Sequence, residues 1–162
     1  MNITAMYFSG TGTTKKVTAA IADELTESKI SQDETAAGEN PGSIKAGIKP
    51  WQRAEDIDFT PPAARREIYR FTPDDLVVFG VPVIAGRVPN VLLKFLDTLQ
   101  GGGALAVPVV LYGNRNFDDA LIELRNILQD RGFYAIGAAA FIGEHSFSRI
   151  LAAGRPDSSD ME

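Results

Sequence analysis

The sequence predicts an α/β fold, a doubly wound parallel sheet covered by helices on both faces. Three observations predict it. Apolar runs rich in Val, Ile and Phe recur at residues 3–8, 76–81, 107–112 and 133–142. They are apolar on both faces rather than alternating, as strands buried between two helical layers must be. Stretches with helical spacing lie between them, and the first run leads through a glycine- and hydroxyl-rich loop into a helix, the opening of a βαβ unit. At 162 residues, the chain is read as one domain over 1–162, long enough to bury a single core.

Each element has its own warrant. The run at 3–8 is the first strand, and the helix after it spans about 13–27, with Val17, Ala20, Ile21 and Leu25 on one face. Residues 31–50 carry Gly, Ser, Asn, Pro and scattered charges without a period, which predicts a long mobile connection to a short second strand near 56–60. A helix-to-strand connection lies at the N-terminal edge of such a sheet, away from the ligand edge, so Trp51 is expected there as a hydrophobic anchor. After the third strand, a helix over about 89–100 carries Leu92, Phe95, Leu96 and Leu99 on one stripe, Pro89 at its start and Gly101-Gly102-Gly103 as its stop. After the fourth strand, a helix over about 117–131 turns Leu121, Leu124 and Leu128 inward, with Asp118 and Asp119 in its first turn and Arg131-Gly132 at its end. The run at 133–142 is the fifth strand. Ser159-Asp160-Met161-Glu162 has the spacing of a capping box, so 155–162 is expected to open a final helix whose body is missing.

Composition removes several functions. A net charge of −5 without any basic stretch argues against nucleic acid or an anionic membrane as partner. The chain has no cysteine, which excludes disulfides, thiol catalysis, cysteine-ligated zinc and cysteine-ligated iron–sulfur clusters. No catalytic constellation and no metal-ligand set is found. The chain opens directly into a strand, no apolar run is long enough to span a bilayer, and the cytoplasm is the expected location.

The loop Ser9-Gly10-Thr11-Gly12-Thr13-Thr14 carries the chemistry. The first N–H groups of a helix have no intrahelical partner and the macrodipole is positive there, so an anion is held without a cationic side chain. The hydroxyls add donors, and Gly10 and Gly12 allow positive φ and close approach. A dinucleotide fingerprint needs glycine where Lys15 stands, and a nucleoside-triphosphate loop needs Gly-Lys-Ser/Thr where the chain has Thr14-Lys15-Lys16. A terminal phosphate monoester suits the hydroxyl-rich version; Thr11 and Thr14 as plain helix caps are the simpler alternative.

Ser9-x-Thr11-Gly12-x-Thr14 resembles the FMN-phosphate loop of flavodoxins. The stretch from Gly80 through Pro82, Val83, Ile84, Ala85 and Gly86 to Pro89, the stretch from Tyr112 to Leu121, and Glu144-His145-Ser146-Phe147 resemble the flavodoxin-like half of bacterial and archaeal flavodoxin–ferredoxin fusion proteins. The match covers nearly the whole chain except about 28–54. With no cysteine, the ferredoxin half of those proteins is absent. The resemblance implies strand order 2-1-3-4-5 and one noncovalent FMN, its phosphate on residues 9–14. Its ring would lie between Pro82, Val83, Ile84, Ala85 and Gly86 on one side and Tyr112, Gly113, Asn114, Arg115 and Phe117 on the other. Ile84 stands where the family usually has tyrosine, Phe117 is the candidate cover of the opposite face, and Gly86 is expected to let a backbone carbonyl turn easily. Arg87 is expected in solvent and Arg115 either on the ring or in solvent; Lys15 and Lys16 face water, and His145 makes a structural hydrogen bond. Function follows as electron transfer, with a ferredoxin or a ferredoxin-type reductase as partner. Two other classes stand beside it: an FMN-dependent NAD(P)H oxidoreductase acting on quinones or small electrophiles, and a flavin-free phosphate-site interaction module.

Overall fold

The computed structural model describes residues 1–36, 51–113, 115–145, 148 and 150–161, with no side-chain description for 28–36. The sheet is parallel throughout. Its strands are β1 (Asn2–Tyr7), β2 (Gln52–Arg53), β3 (Ile57–Asp58), β4 (Asp75–Pro82), β5 (Leu105–Tyr112), β6 (Tyr134–Ala135) and β7 (Ala139–Ile142). β2 and β3 both pair with β1, and β6 and β7 both pair with β5. β6 and β7 are the predicted fifth strand interrupted in the middle, β3 falls at the expected second strand near 56–60, and β2 is an unpredicted pairing just before it at the same sheet edge, so the spatial order is the expected 2-1-3-4-5. Between β2 and β3 the Arg53 guanidinium donates to Asp23, Asp56 and the Ala54 carbonyl, which replaces ladder bonds with side-chain bonds. Between β6 and β7 the unpaired stretch contains Gly137, which offers the sheet no side chain to pack.

Strand alternation divides the core into two layers, as a doubly wound sheet requires. Ile3, Ala5, Tyr7, Leu76 and Val78 face α1 (Thr13–Ala36), while Met6, Val77, Phe79 and Val81 face α2 (Asn90–Leu96) and α3 (Ala120–Asp130). Phe59 joins the second layer, with ring centroids 5.3 Å from Phe79 and 4.9 Å from Phe95. Trp51 packs on the α1 side beside the start of β1, where Gln52 N–H donates to the Met1 carbonyl at 2.9 Å. This is the N-terminal edge expected for it.

Element boundaries differ from expectation for identifiable reasons. α1 runs to Ala36 rather than ending near 27, so residues 31–36 of the expected mobile connection are helical. The first strong breaker after Glu27 is Gly38, and an established helix extends at little cost through polar residues. The rest of that connection, 37–50, lies outside the described residues. α2 ends at Leu96, not near 100, because Gln100 pairs through its backbone with Tyr69 and Phe71 at 3.1 and 2.9 Å. α3 begins at Ala120, so Asp118 and Asp119 precede the helix instead of filling its first turn; Asp118 has φ 43. Its end is as expected: Gly132 has φ 87, its N–H reaches the Gln129 carbonyl and Phe133 N–H reaches that of Leu128, a Schellman motif.

The capping box near the C-terminus exists but is displaced. Asp157 Oδ1 accepts the Ser159 and Asp160 amides at 2.9 and 3.2 Å, and Asp160 accepts the Asp157 amide at 2.8 Å. This reciprocal pair is Asp157-x-x-Asp160, not one starting at Ser159, because a carboxylate accepts more strongly than a hydroxyl. It closes one turn over Ser158–Asp160; Glu162 lies outside the described residues. Lys16 Nζ donates to the Pro156 carbonyl at 3.1 Å and ties this segment to α1. Among the described residues, no helix is long and apolar enough to cross a membrane and no cluster suits a metal ion.

Candidate functional site

The loops after β1, β4 and β5 converge at the C-terminal edge of the sheet, where open α/β sheets hold ligands. Two adjoining cavities of ≈ 480 and ≈ 300 Å³ lie there, within the usual range for small-molecule sites. Val83, Ile84, Ala85 and Gly113 line both. The larger also takes Gly10, Thr11, Thr13 and Thr14 from the first loop, and Pro82 and Leu111 from the strand ends. The smaller takes Gly86, Tyr112 and Arg115.

The first loop presents neutral donors. Ser9 lies outside both cavities; its hydroxyl accepts the Lys15 amide at 3.0 Å, and the Gly12 carbonyl accepts that of Lys16 at 3.0 Å. These bonds fix the first turn of α1. Among the described residues, the amides of Gly10, Thr11, Gly12, Thr13 and Thr14 have no partner, and the Thr11 and Thr13 hydroxyls pair at 3.0 Å. Gly12 has φ 90, and nothing lies within 4 Å of where a Cβ would stand at Gly10 or Gly12. Thr14 is buried, its methyl against Gly80 of β4, so packing on the sheet aims this turn at the cavity.

Among the described residues, no cationic side chain is bonded to these donors. Lys15 Nζ stands 6.0 Å from the centre of the Tyr7 ring, Lys16 is bound to Pro156, and Arg65 donates to the Phe59 and Thr60 carbonyls. Lys15 and Lys16 are exposed, as expected, and Lys16 in addition ties the C-terminal segment to α1. Arg87 is exposed, as expected, and also lines the larger cavity. Its guanidinium makes a two-pronged ion pair with Glu123 at 3.0 and 2.8 Å.

The turn Ile84-Ala85-Gly86-Arg87 forms one wall. Ile84 N–H donates to Arg87 at 3.0 Å and Arg87 N–H to Ile84 at 3.1 Å, and both central residues have positive φ, 51 at Ala85 and 74 at Gly86. Positive φ at both positions marks a tight hairpin turn, and it is uncommon for an alanine. Ile84 is 38% exposed, so it shields part of the cavity and leaves its mouth open. On the opposite wall Tyr112 lines the smaller cavity, and Phe117 lines neither. The Phe117 ring packs on the α2–α3 core and lies 5.7 Å from that of Tyr112. Asn114 lies outside the described residues.

Apart from Asn116, which belongs to the stretch expected near the ring, several lining residues had no cofactor contact expected of them. Phe8, Val88, Asn90, Val91, Gly143 and Glu144 line the larger cavity, and Asn116, Asp118 and His145 the smaller. Phe8 and Glu144 had a signal, since each adjoins a strand end at the ligand edge. His145 is brought in by tertiary contact: a Cβ at Gly113 would lie 2.6 Å from its Cα, so only glycine lets the two loops approach this closely.

The hydrogen bond from Arg87 holds the Glu123 carboxyl below the usual carboxylate range. A carboxyl depressed in the folded chain stabilises the fold above its unfolded pKa, and this contribution is lost as pH falls through the folded value. Glu123→Gln is therefore expected to be less stable than the parent near neutrality. The two melting temperatures should converge in acid, modestly because the pair is partly solvated. Melts across pH check this; a difference that does not change with pH would show that the ionised carboxylate is not its source.

The fold is that of a flavodoxin-like domain. A flavodoxin from the domain Archaea matches with a TM-score of 0.62 at 16% identity, over 99% of this chain and 89% of that one. A presumed flavoprotein from Bacteroides uniformis matches at 0.55 and 13%, over 89% and 92% of the two chains. The metal-soaked Flv1 flavodiiron core from Synechocystis matches at 0.52 and 19%, over 89% of this chain but 31% of that one. No family model and no curated protein matches the chain.

Proposed function

We propose that the protein binds one FMN noncovalently and passes electrons between redox proteins. One observation carries the reading: a cavity joins the unpartnered amides of Gly10 to Thr14 to the loops after β4 and β5. An anion at the first loop would be held by neutral donors, each charge-assisted bond contributing about 1.5–3 kcal/mol. In this reading the ring system would lie where the two cavities adjoin, against the Ile84–Arg87 turn on one side and Tyr112, Gly113 and Arg115 on the other. The flavodoxin and flavodiiron neighbours support the same reading through their fold. When bound, the flavin supplies the redox chemistry. The protein's own groups bind and orient it: Thr11, Thr13 and Thr14 at one end, and the apolar Val83, Ile84 and Leu111 excluding water from its middle.

The chain is acidic, with net charge −5, which suits docking to a basic patch on a ferredoxin or a ferredoxin-type reductase in the cytoplasm. The test compares donors. Holoprotein under anaerobic conditions is expected to be reduced rapidly by a reduced ferredoxin or a ferredoxin reductase, more slowly as salt rises, and slowly or not at all by NADH and NADPH. Rapid, saturable bleaching by NAD(P)H alone would move the protein to the oxidoreductase class acting on quinones or small electrophiles. A protein that stays colourless in excess FMN would be a phosphate-site interaction module.

A further inference from the structure

We propose that Glu123 is a positioning residue that holds the Ile84–Arg87 turn in one backbone conformation and thereby sets the redox potential of the site. The second half rests on the flavin reading above.

Glu123 lies on α3, distant in sequence from the turn, yet its carboxylate accepts three hydrogen bonds from the turn's exit. Arg87 Nε and Nη2 donate at 3.0 and 2.8 Å, and the Val88 amide donates at 2.8 Å. A planar guanidinium gripping both carboxylate oxygens fixes direction as well as distance. The added backbone bond ties the chain itself, not only a side chain, to α3. Glu123 is half-buried, whereas Arg87 is mostly exposed, so the carboxylate is the fixed end of the pair.

The segment just before α3 also touches the turn. Asn116 Oδ1 accepts the Phe117 and Asp118 amides at 2.8 and 3.3 Å, and Asp118 takes φ 43. This presses the Asp118 carboxylate onto Gly86: a Cβ added there would lie 2.6 Å from Asp118 Oδ2. A glycine at this place suggests a peptide that turns over freely. The structure instead fills the space beside it with a carboxylate and clamps the next residue with an ion pair. Because Ala85 and Gly86 line the cavities while Glu123 lines neither, Glu123 acts through the turn.

The test uses Glu123→Gln, which keeps the volume and removes the charge, and Arg87→Ala, whose exposed position keeps folding intact. Amide hydrogen exchange of the protein without flavin is expected to accelerate about tenfold or more at Ile84, Arg87 and Val88, whose amides are bonded within the turn or to Glu123, in both variants, as the loss of charge-assisted bonds implies. With FMN bound, the midpoint potential of both variants is expected to shift in the same direction, a change that loss of global stability does not produce. Unchanged exchange overturns the clamp. Faster exchange with an unchanged potential overturns its redox role and leaves Glu123 structural. A parent protein that takes up no FMN sinks the flavin reading and the redox half with it, while the exchange result still decides the clamp.

Discussion

FMN is expected to bind the protein at a one-to-one ratio and riboflavin about 100-fold more weakly or worse. The two ligands share a ring and a ribityl chain and differ only in the phosphate. The unpartnered amides from Gly10 to Thr14 stand at the N-terminus of a long helix, where a dianion also meets the positive end of the macrodipole. Losing two charge-assisted hydrogen bonds costs about 3–6 kcal/mol, and each 1.4 kcal/mol is tenfold in affinity. Titration by quenching of flavin fluorescence measures both constants. Equal affinities would remove the phosphate from this loop and return Thr11 and Thr14 to the role of helix caps. Thr11→Ala is expected to cost about 1–3 kcal/mol of FMN affinity with little loss of fold stability, because Thr11 is exposed.

Gly80→Ala is expected to destabilise the fold by about 1–3 kcal/mol, as overpacking of a core typically does, and to weaken FMN binding with it. Gly80 lies on β4 beneath the first turns of α1. An added Cβ would come 2.1 Å from Thr18 Oγ1 and 3.0 Å from Thr14 Cγ2. α1 would have to lift from the sheet, and it carries Thr13 and Thr14 into the cavity. For a domain of this size the thermal midpoint should fall by about 2–12 °C. A partner substitution sharpens the test. Thr18 Oγ1 is buried without a hydrogen-bond partner among the described residues, so trimming it strands no other polar group. Gly80→Ala combined with Thr18→Ala should therefore melt higher than Gly80→Ala alone. Strictly additive effects would mean that the helix does not rest on Gly80.

Much of this architecture is local enough to be read from residue order. Strands apolar on both faces, helix stripes such as Leu92-Phe95-Leu96 and the Arg131-Gly132 stop each depend on neighbours within a few positions. The loop at 9–14 is legible for the same reason, since six consecutive residues supply the glycines, the hydroxyls and the helix N-terminus. Ranges drawn from periodicity erred where a distant segment competed for the backbone. Tyr69 and Phe71 took Gln100 from the end of α2, and the left-handed Asp118 delayed α3.

Residue order alone thus carries the doubly wound class, the strand order through its resemblance, and the loop at 9–14. Only the tertiary structure decided which side chains meet around the cavity. It moved Phe117 onto the core, brought His145 against Gly113 and Asp118 against Gly86, and paired Arg87 with Glu123. The physical reason is the range of the interactions. Backbone conformation and periodic burial are set within a turn or two of chain, whereas an ion pair or a close backbone approach needs two elements whose separation is fixed only once both have packed on the sheet.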